Sequence, residues 1–307
     1  MTVGTAPAPA RSAEPAEARR WVVPERAWPY LLVAPAVLVL AVFRFYPLLL
    51  GANFSLTGDG ELNGRFIGVG NYVEIFRDPV FGSALRNVGL LILLLPVAVA
   101  VPGLLATFLF LRVPGHRFYR SVYFFPVVLS PVIIGAIFDI VLAIDGPVNA
   151  LLAAAGLGPV EWLGDPRIAM LSVVGVHIWA TFGMALVIFL AGFATLDRSL
   201  LDAARVDGAN LAQTIRHVIV PGLSRTIQFV VVTTMIGMLT SMFGLLYVMT
   251  GGGPGSSTYL PELYIWVQQG EMNRPALAAA ASMVLFVLMI VIGAAQIRIL
   301  RRATREV

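Results

Sequence analysis

The stretch Leu201–Leu223, LDAARVDGANLAQTIRHVIVPGL, is a mixed polar and basic segment between two long apolar runs. Leu200, Leu201, Ala203 and Ala204 are apolar at helical spacing, and Gly208 supplies the backbone freedom of a turn. The segment therefore reads as two short helices with a turn between them. Pro221 stands at the mouth of the next apolar run, a position that a helix start tolerates. So much helical order in a polar loop marks a docking surface.

The rest of the chain explains why such a loop stands out. Of 307 residues, 58% are hydrophobic and 12% charged, mean hydropathy is +0.86, and a soluble domain carries about 25% charged residues. The chain belongs in a bilayer. A bilayer-spanning helix needs roughly 20 mostly apolar residues, and six stretches qualify: 29–50, 84–111, 119–143, 168–192, 222–248 and 275–298. All 21 basic residues are arginine. Fifteen of them fall in the amino-terminal tail, Arg112–Arg120, Arg198–Arg225 and Arg298–Arg305, against six (Arg44, Arg65, Arg77, Arg86, Arg167, Arg274) towards the other side. By the positive-inside rule both ends and the Asp202 loop are cytoplasmic. Three parts follow: a disordered cytoplasmic leader at 1–28, rich in Ala and Pro, a six-helix transmembrane domain at 29–300 whose polar loop is 196–221, and a cytoplasmic tail at 301–307. Arg19-Arg20 precedes an apolar run, but five further spans follow and no small-residue cleavage site closes the first, which reads as an uncleaved anchor.

Asp202-Ala203-Ala204-x-x-Asp207-Gly208-Ala209, with Pro221 beyond, resembles the EAA loop of permease subunits of ATP-binding-cassette importers, written E-A-A-x-x-D-G-A with a later proline. Asp202 departs from it, keeping the charge one methylene shorter. Further segments are similar to the maltose and glycerol-3-phosphate permease class. They are Phe66-Ile67-Gly68-Val69-Gly70-Asn71-Tyr72 after the first span, Gly146-Pro147-Val148-Asn149 after the third, Trp162-Leu163-x-Asp165-Pro166 before the fourth, and Tyr247-x-x-Thr250-Gly251-Gly252-Gly253-Pro254 after the fifth. The first of these reads as a small packed cap rather than a ligand contact. The resemblance covers about 29–300 and implies an all-α, type I importer permease fold. It also implies a complex: a second permease, usually different from the first, two ATPase subunits that carry ATP and Mg, and an external solute-binding protein. No cofactor is expected on this chain, which has no lysine and so no G-x-x-x-x-G-K-[ST] phosphate loop.

In such a complex the Asp202 loop is the lever that rests on the ATPase. The resemblance assigns Leu200, Leu201, Ala203 and Ala204 to packing there, Gly208 to the turn, Arg205 and Asp207 to polar contacts or bracing, and Asp202, Ala209 and Pro221 to the same coupling segment. Polar or aromatic groups at membrane depth are the candidates for the solute pathway: Asp139, His177, Trp179, Thr240, Ser241, Phe243 and Tyr247. Structural readings stand beside these. Asp139 caps its span or pairs with Arg44, His177 is a neutral interhelical donor, and Thr240 and Ser241 bond back to their own helix. Relatives often carry an acidic residue directly after the aromatic matching Phe243, where this chain has Gly244.

Other classes fit less well. A secondary carrier needs acidic groups at mid-membrane and an internal repeat, and only Asp139 lies within a span, off centre. The absence of cysteine removes disulfides and thiolate sites, and three scattered histidines, His116, His177 and His217, offer no metal-ligand spacing. The expected activity is uptake of a sugar or oligosaccharide, with glycerol-3-phosphate or a related phosphodiester as the alternative, across a bacterial inner membrane.

Overall fold

The computed structural model describes residues 27–62, 64–111 and 122–303. The amino-terminal leader up to residue 26, the arginines from Arg112 to Arg120 and residues 304–307 lie outside that description. The described residues are almost entirely helical, and their only β-pairing is the isolated bridge between Thr57 and Phe66.

Four helices are long and apolar enough to cross a bilayer alone: Trp28–Phe54, Pro79–Phe110, Ala169–Ala194 and Pro275–Ile299. Counting each of two bent pairs as one span brings the number to six. Val122–Val128 meets Pro131–Val141 at 113°, and Leu211–Gly222 meets Ser224–Thr240 at 77°. The described residues up to Leu50 and those from Gly51 onward are separate compact units. In the first unit, Trp28–Leu40 continues through a π-helical turn, Ala41–Phe45, without a buried side chain.

Two expected spans differ from the uniform helices that hydropathy predicts. The third turns sharply at Leu129-Ser130, because Pro131 has no N–H to continue the preceding ladder and instead starts a new helix. The fifth, expected at 222–248, bends at Leu223 and stops at Thr240, and the chain restarts as the short helix Phe243–Met249. The second span begins earlier than expected, at Pro79, because the Asp78 carboxylate accepts the Val80 N–H at 2.8 Å and caps it. The last helix runs to Ala303, so the predicted tail starts inside it.

Small residues set the interhelical spacing, as apolar solvent gives no hydrophobic drive to bring helices together. A Cβ on Gly183 would lie 2.5 Å from the Tyr123 carbonyl, and one on Gly192 2.5 Å from Thr226 Oγ1. Fourth-span residues thus touch backbone or short side chains of the third and fifth. Gly103 lets the Phe189 ring lie against the second span, where an added Cβ would come 3.3 Å from the ring.

Outside the spans, buried amides and carboxylates fasten the loops. Asn71 donates to the Ser55 and Thr57 carbonyls at 2.8 and 2.7 Å. Both Asp59 oxygens accept N–H groups of Ala276 and Leu277, capping the sixth span from 217 residues away in sequence. Arg274 adds a two-bond pair with Glu74 at 2.6 and 2.8 Å. The packed cap expected around Phe66 exists in part: Asn71 is buried, whereas Phe66 and Phe76 are 77% and 62% exposed. Asn149, in the Gly146–Asn149 segment, donates to three carbonyls and accepts the Val160 N–H and the Trp162 indole N–H. Asn149→Ala leaves those buried groups unpartnered and should cost about 2–3 kcal/mol. A thermal melt in detergent unchanged from wild type would show that water replaces the amide.

Candidate functional site: a coupling helix and a broken span

The polar loop folds as two helices joined at Gly208. Asp197 caps the first, Arg198–Val206, by accepting the Ser199 N–H at 2.9 Å, and that backbone bond lowers the carboxyl below its ordinary range. At its far end Ala209 N–H reaches the Ala204 carbonyl and Gly208 N–H the Arg205 carbonyl. These two bonds close the helix when the residue between them has positive φ, and Gly208 has φ +74°. Asn210 then opens the next helix. Its side chain accepts the Gln213 N–H at 2.9 Å while Gln213 accepts the Asn210 N–H at 2.8 Å. The turn is therefore braced on both sides.

The helix has two apolar faces. Leu201 and Ala204 are 6% and 9% exposed and join the chain's own core, so they are not available to a docked subunit as expected. Leu200 and Ala203 face outward, joined by Val206 at 87% exposure. Val206 escaped the sequence reading. Arg205 braces Asp202 at 2.9 Å on the exposed side, and Asp207 and Gly208 are also exposed. Pro221 lies one residue before the end of the second helix, beside the 77° bend. There a Cβ on the neighbouring Gly222 would lie 2.4 Å from Leu196 Cδ1, so the leucine side chain would have to turn aside.

The membrane candidates do not form one cluster. His177 is buried in the fourth span at 5% exposure. Trp179, one turn-face away, meets Phe138 edge-on at 5.1 Å. Asp139 follows Phe138 and borders an open cavity of about 700 Å³ with Asp145, Glu161 and Trp162. Thr240 bonds back to the Ile236 carbonyl at 2.8 Å, and Ser241 sits in the break of the fifth span. Phe243 and Tyr247 stack at 5.6 Å just beyond that break. The two aromatic groups ride on tightly apposed helices. Gly135 approaches the Leu245 carbonyl, and Gly244 approaches Val132, with room for little more than a Cβ. An acidic side chain at position 244 would press into Val132.

Two residues missed in the sequence complete the second aromatic group. Trp266 lies 5.7 Å from Phe243 and 6.3 Å from Tyr247, ring centre to ring centre. Glu262 stands one turn earlier on the helix Pro261–Trp266, and burial pushes its carboxyl up to about 7, with the Phe243 backbone pulling the other way. No group of three potential metal ligands occurs among the described residues.

Residues 64–306 match the model of the family described as binding-protein-dependent transport system inner membrane component. A probable ABC transporter permease protein of Bacillus subtilis, YurN, is 32% identical over 91% of this chain and 97% of its own length. The lactose transport system permease protein LacF of Rhizobium radiobacter is 34% identical over 77% of this chain and 81% of its own. Among solved structures, a chain of the bacterial alginate ABC transporter in complex with an alginate pentasaccharide-bound periplasmic protein superposes with a TM-score of 0.79. That match has 24% identity and covers 91% of this chain and 96% of that one. The type I importer permease fold follows.

Glu262 yields a pH test of the site's burial. Its folded pKa lies above the model-peptide value of 4.5, so the folded state holds the proton more tightly and stability falls as pH rises from about 4.5 to about 7. Glu262→Gln should remove a loss of roughly 2–3 kcal/mol across that window. Melting curves at pH 5 and pH 8 that shift equally for wild type and variant would show the carboxyl to be solvated.

Proposed function

Because the chain belongs to the family of binding-protein-dependent transport system inner membrane components, we propose that it is one permease of an ATP-driven importer that takes up a sugar or oligosaccharide across a bacterial inner membrane. In this reading a second, different permease completes the pathway, an external binding protein delivers the solute, and two separate ATPase subunits bind ATP and Mg. The lactose permease among its relatives and the alginate transporter that shares its fold support the carbohydrate class.

The observation that carries the reading is the outward face of the helix Arg198–Val206, where Leu200, Ala203 and Val206 lie exposed over a seam buried by Leu201 and Ala204. Exposed apolar side chains on a short helix need a partner surface, and the buried seam makes the helix rigid with the spans. Closure of an ATPase dimer on ATP would push this face. The capped turn at Gly208 and Asn210 would carry the push through Leu211–Gly222 to the bend and the fifth span, tipping the cavity from inward to outward access. Hydrolysis would reset it. This is a two-state element biased by a ligand bound on another subunit. Phe243 and Tyr247 would line the solute path past the break.

Gentle purification of the tagged chain, followed by mass spectrometry, should recover an ATP-binding-cassette ATPase, a second permease and a binding protein. Gly208→Pro should insert normally but lose the ATPase, because proline cannot adopt φ +74° and has no N–H for the Arg205 carbonyl. Recovery of the chain alone, under conditions that keep a known importer together, would contradict the reading and favour a self-sufficient carrier.

A further inference from the structure

A narrow apolar groove runs beside the bend of the fifth span. Its floor is one face of the second span, from Pro96 through Ala100 and Gly103 to Thr107, and Ile215 and Ile227, from the two arms of the bend, form its wall. Its volume is about 300 Å³. The rise from Pro96 to Thr107, at about 1.5 Å per residue, makes it about 16 Å long, and the hydrocarbon of one leaflet is about 15 Å deep. A helix about 10 Å across fills about 1200 Å³ over that length, so no helix of a neighbouring subunit fits, whereas an extended hydrocarbon chain does. The lining offers a single side-chain hydroxyl, and Thr107 Oγ1 already donates to the Gly103 carbonyl at 2.8 Å. A polar solute therefore finds no free side-chain partner in the groove.

The groove lies on the polar-loop side of the molecule. Thr107 stands one turn before the end of the second span at Phe110, and Arg112 follows in the sequence. Arg216 comes directly after Ile215, and Arg225 stands between Leu223 and Ile227, which also line the groove. Both arginines are exposed, and neither meets a carboxylate among the described residues, whose ion pairs are Arg205–Asp202 and Arg274–Glu74. Basic groups beside an apolar cleft between membrane helices, on the cytoplasmic side, suit the headgroup of an anionic lipid. We propose that the groove holds one acyl chain of an anionic phospholipid from the cytoplasmic leaflet, with Arg216 and Arg225 on its phosphate. The proposal rests on the importer reading only in taking the polar-loop side as cytoplasmic. It adds a lipid to the seat of the coupling helix: the chain fills the space between the second span and the bend, so the packing that holds the Leu211–Gly222 arm includes a molecule drawn from the bilayer.

The test uses the intact complex, recovered through a tag on this chain and reconstituted into phosphatidylcholine vesicles that contain a little phosphatidylglycerol with a photoreactive acyl chain. After illumination, peptide mass spectrometry locates the adduct, and co-recovery of the ATPase with each variant reports folding and assembly. The adduct should fall on 96–107 and 215–227 and exceed that on the exposed Ile297 and Ile299 of the last span. Unlabelled phosphatidylglycerol should displace it, and phosphatidylcholine should not. Ala100→Phe, at an exposed position in the floor, should fill the groove and lower its labelling about tenfold. Arg216→Gln should lower it about fivefold, and Arg216→Lys, which keeps the charge, should stay within about twofold of wild type. Groove labelling no stronger than that of Ile297 and Ile299, or displaced equally by phosphatidylcholine, would reduce the groove to ordinary bilayer contact and overturn the proposal. No adduct in the groove, because the second permease covers it, would overturn it as well. The adduct forms without transport, so a chain recovered without an ATPase yet labelled in the groove would sink the importer reading and leave the lipid site standing.

Discussion

A peptide group in hydrocarbon must find its hydrogen-bond partner within its own helix or from a neighbour that replaces it. That constraint shapes every part of this molecule. It keeps the second, fourth and sixth spans as long helices, and it makes each interruption conspicuous. The third span turns only where Pro131 starts a fresh helix. The fifth bends at Leu223 and breaks at Ser241-Met242, where Thr240 and Ser241 lie beside a new helical start at Phe243. At its boundaries the fold meets the constraint with side chains: Asp78 caps the second span, Asp59 caps the sixth, and Asn149 serves a whole loop. The two bent spans are the parts that can change angle without exposing a straight helix's ladder.

The polar loop carries the same logic outside the membrane. The loop helix is closed at both ends, by Asp197 and by the Gly208 turn, and the following helix is closed at its start by Asn210 and Gln213. Such a segment holds its shape without a partner. The exposed Arg205–Asp202 pair adds little energy at 70% and 67% side-chain exposure, but it holds the Asp202 carboxylate in one place. The shorter Asp in the position of the family's Glu is therefore braced from its own helix.

Much of this was legible in the sequence, for identifiable reasons. Gly208 could be read as a turn because a left-handed residue favours glycine, and the spans could be read because hydropathy integrates over twenty residues. That same integration hid the breaks, since Ser241 and Met242 scarcely alter a window average. The split between Leu201 and Ala204 on one side and Leu200, Ala203 and Val206 on the other was also hidden. A helix lying between a membrane domain and a partner is apolar on both faces, and composition cannot tell which face looks where. Glu262 and Trp266 reach Phe243 only through the folded Thr250–Tyr259 loop, so no periodicity joins them. Asn210-x-x-Gln213 is a capping signal that the sequence itself carries.

The central claim is that one face of the helix Arg198–Val206 is a docking surface and the other is part of the permease. The chain has no cysteine, so single cysteines report position without background. In the complex recovered with its ATPase, a bifunctional thiol cross-linker should join Ala203→Cys to an ATPase subunit carrying one engineered surface cysteine and should fail to join Ala204→Cys. Equal cross-linking at both positions, or none at Ala203 in a complex that still hydrolyses ATP, would contradict the account.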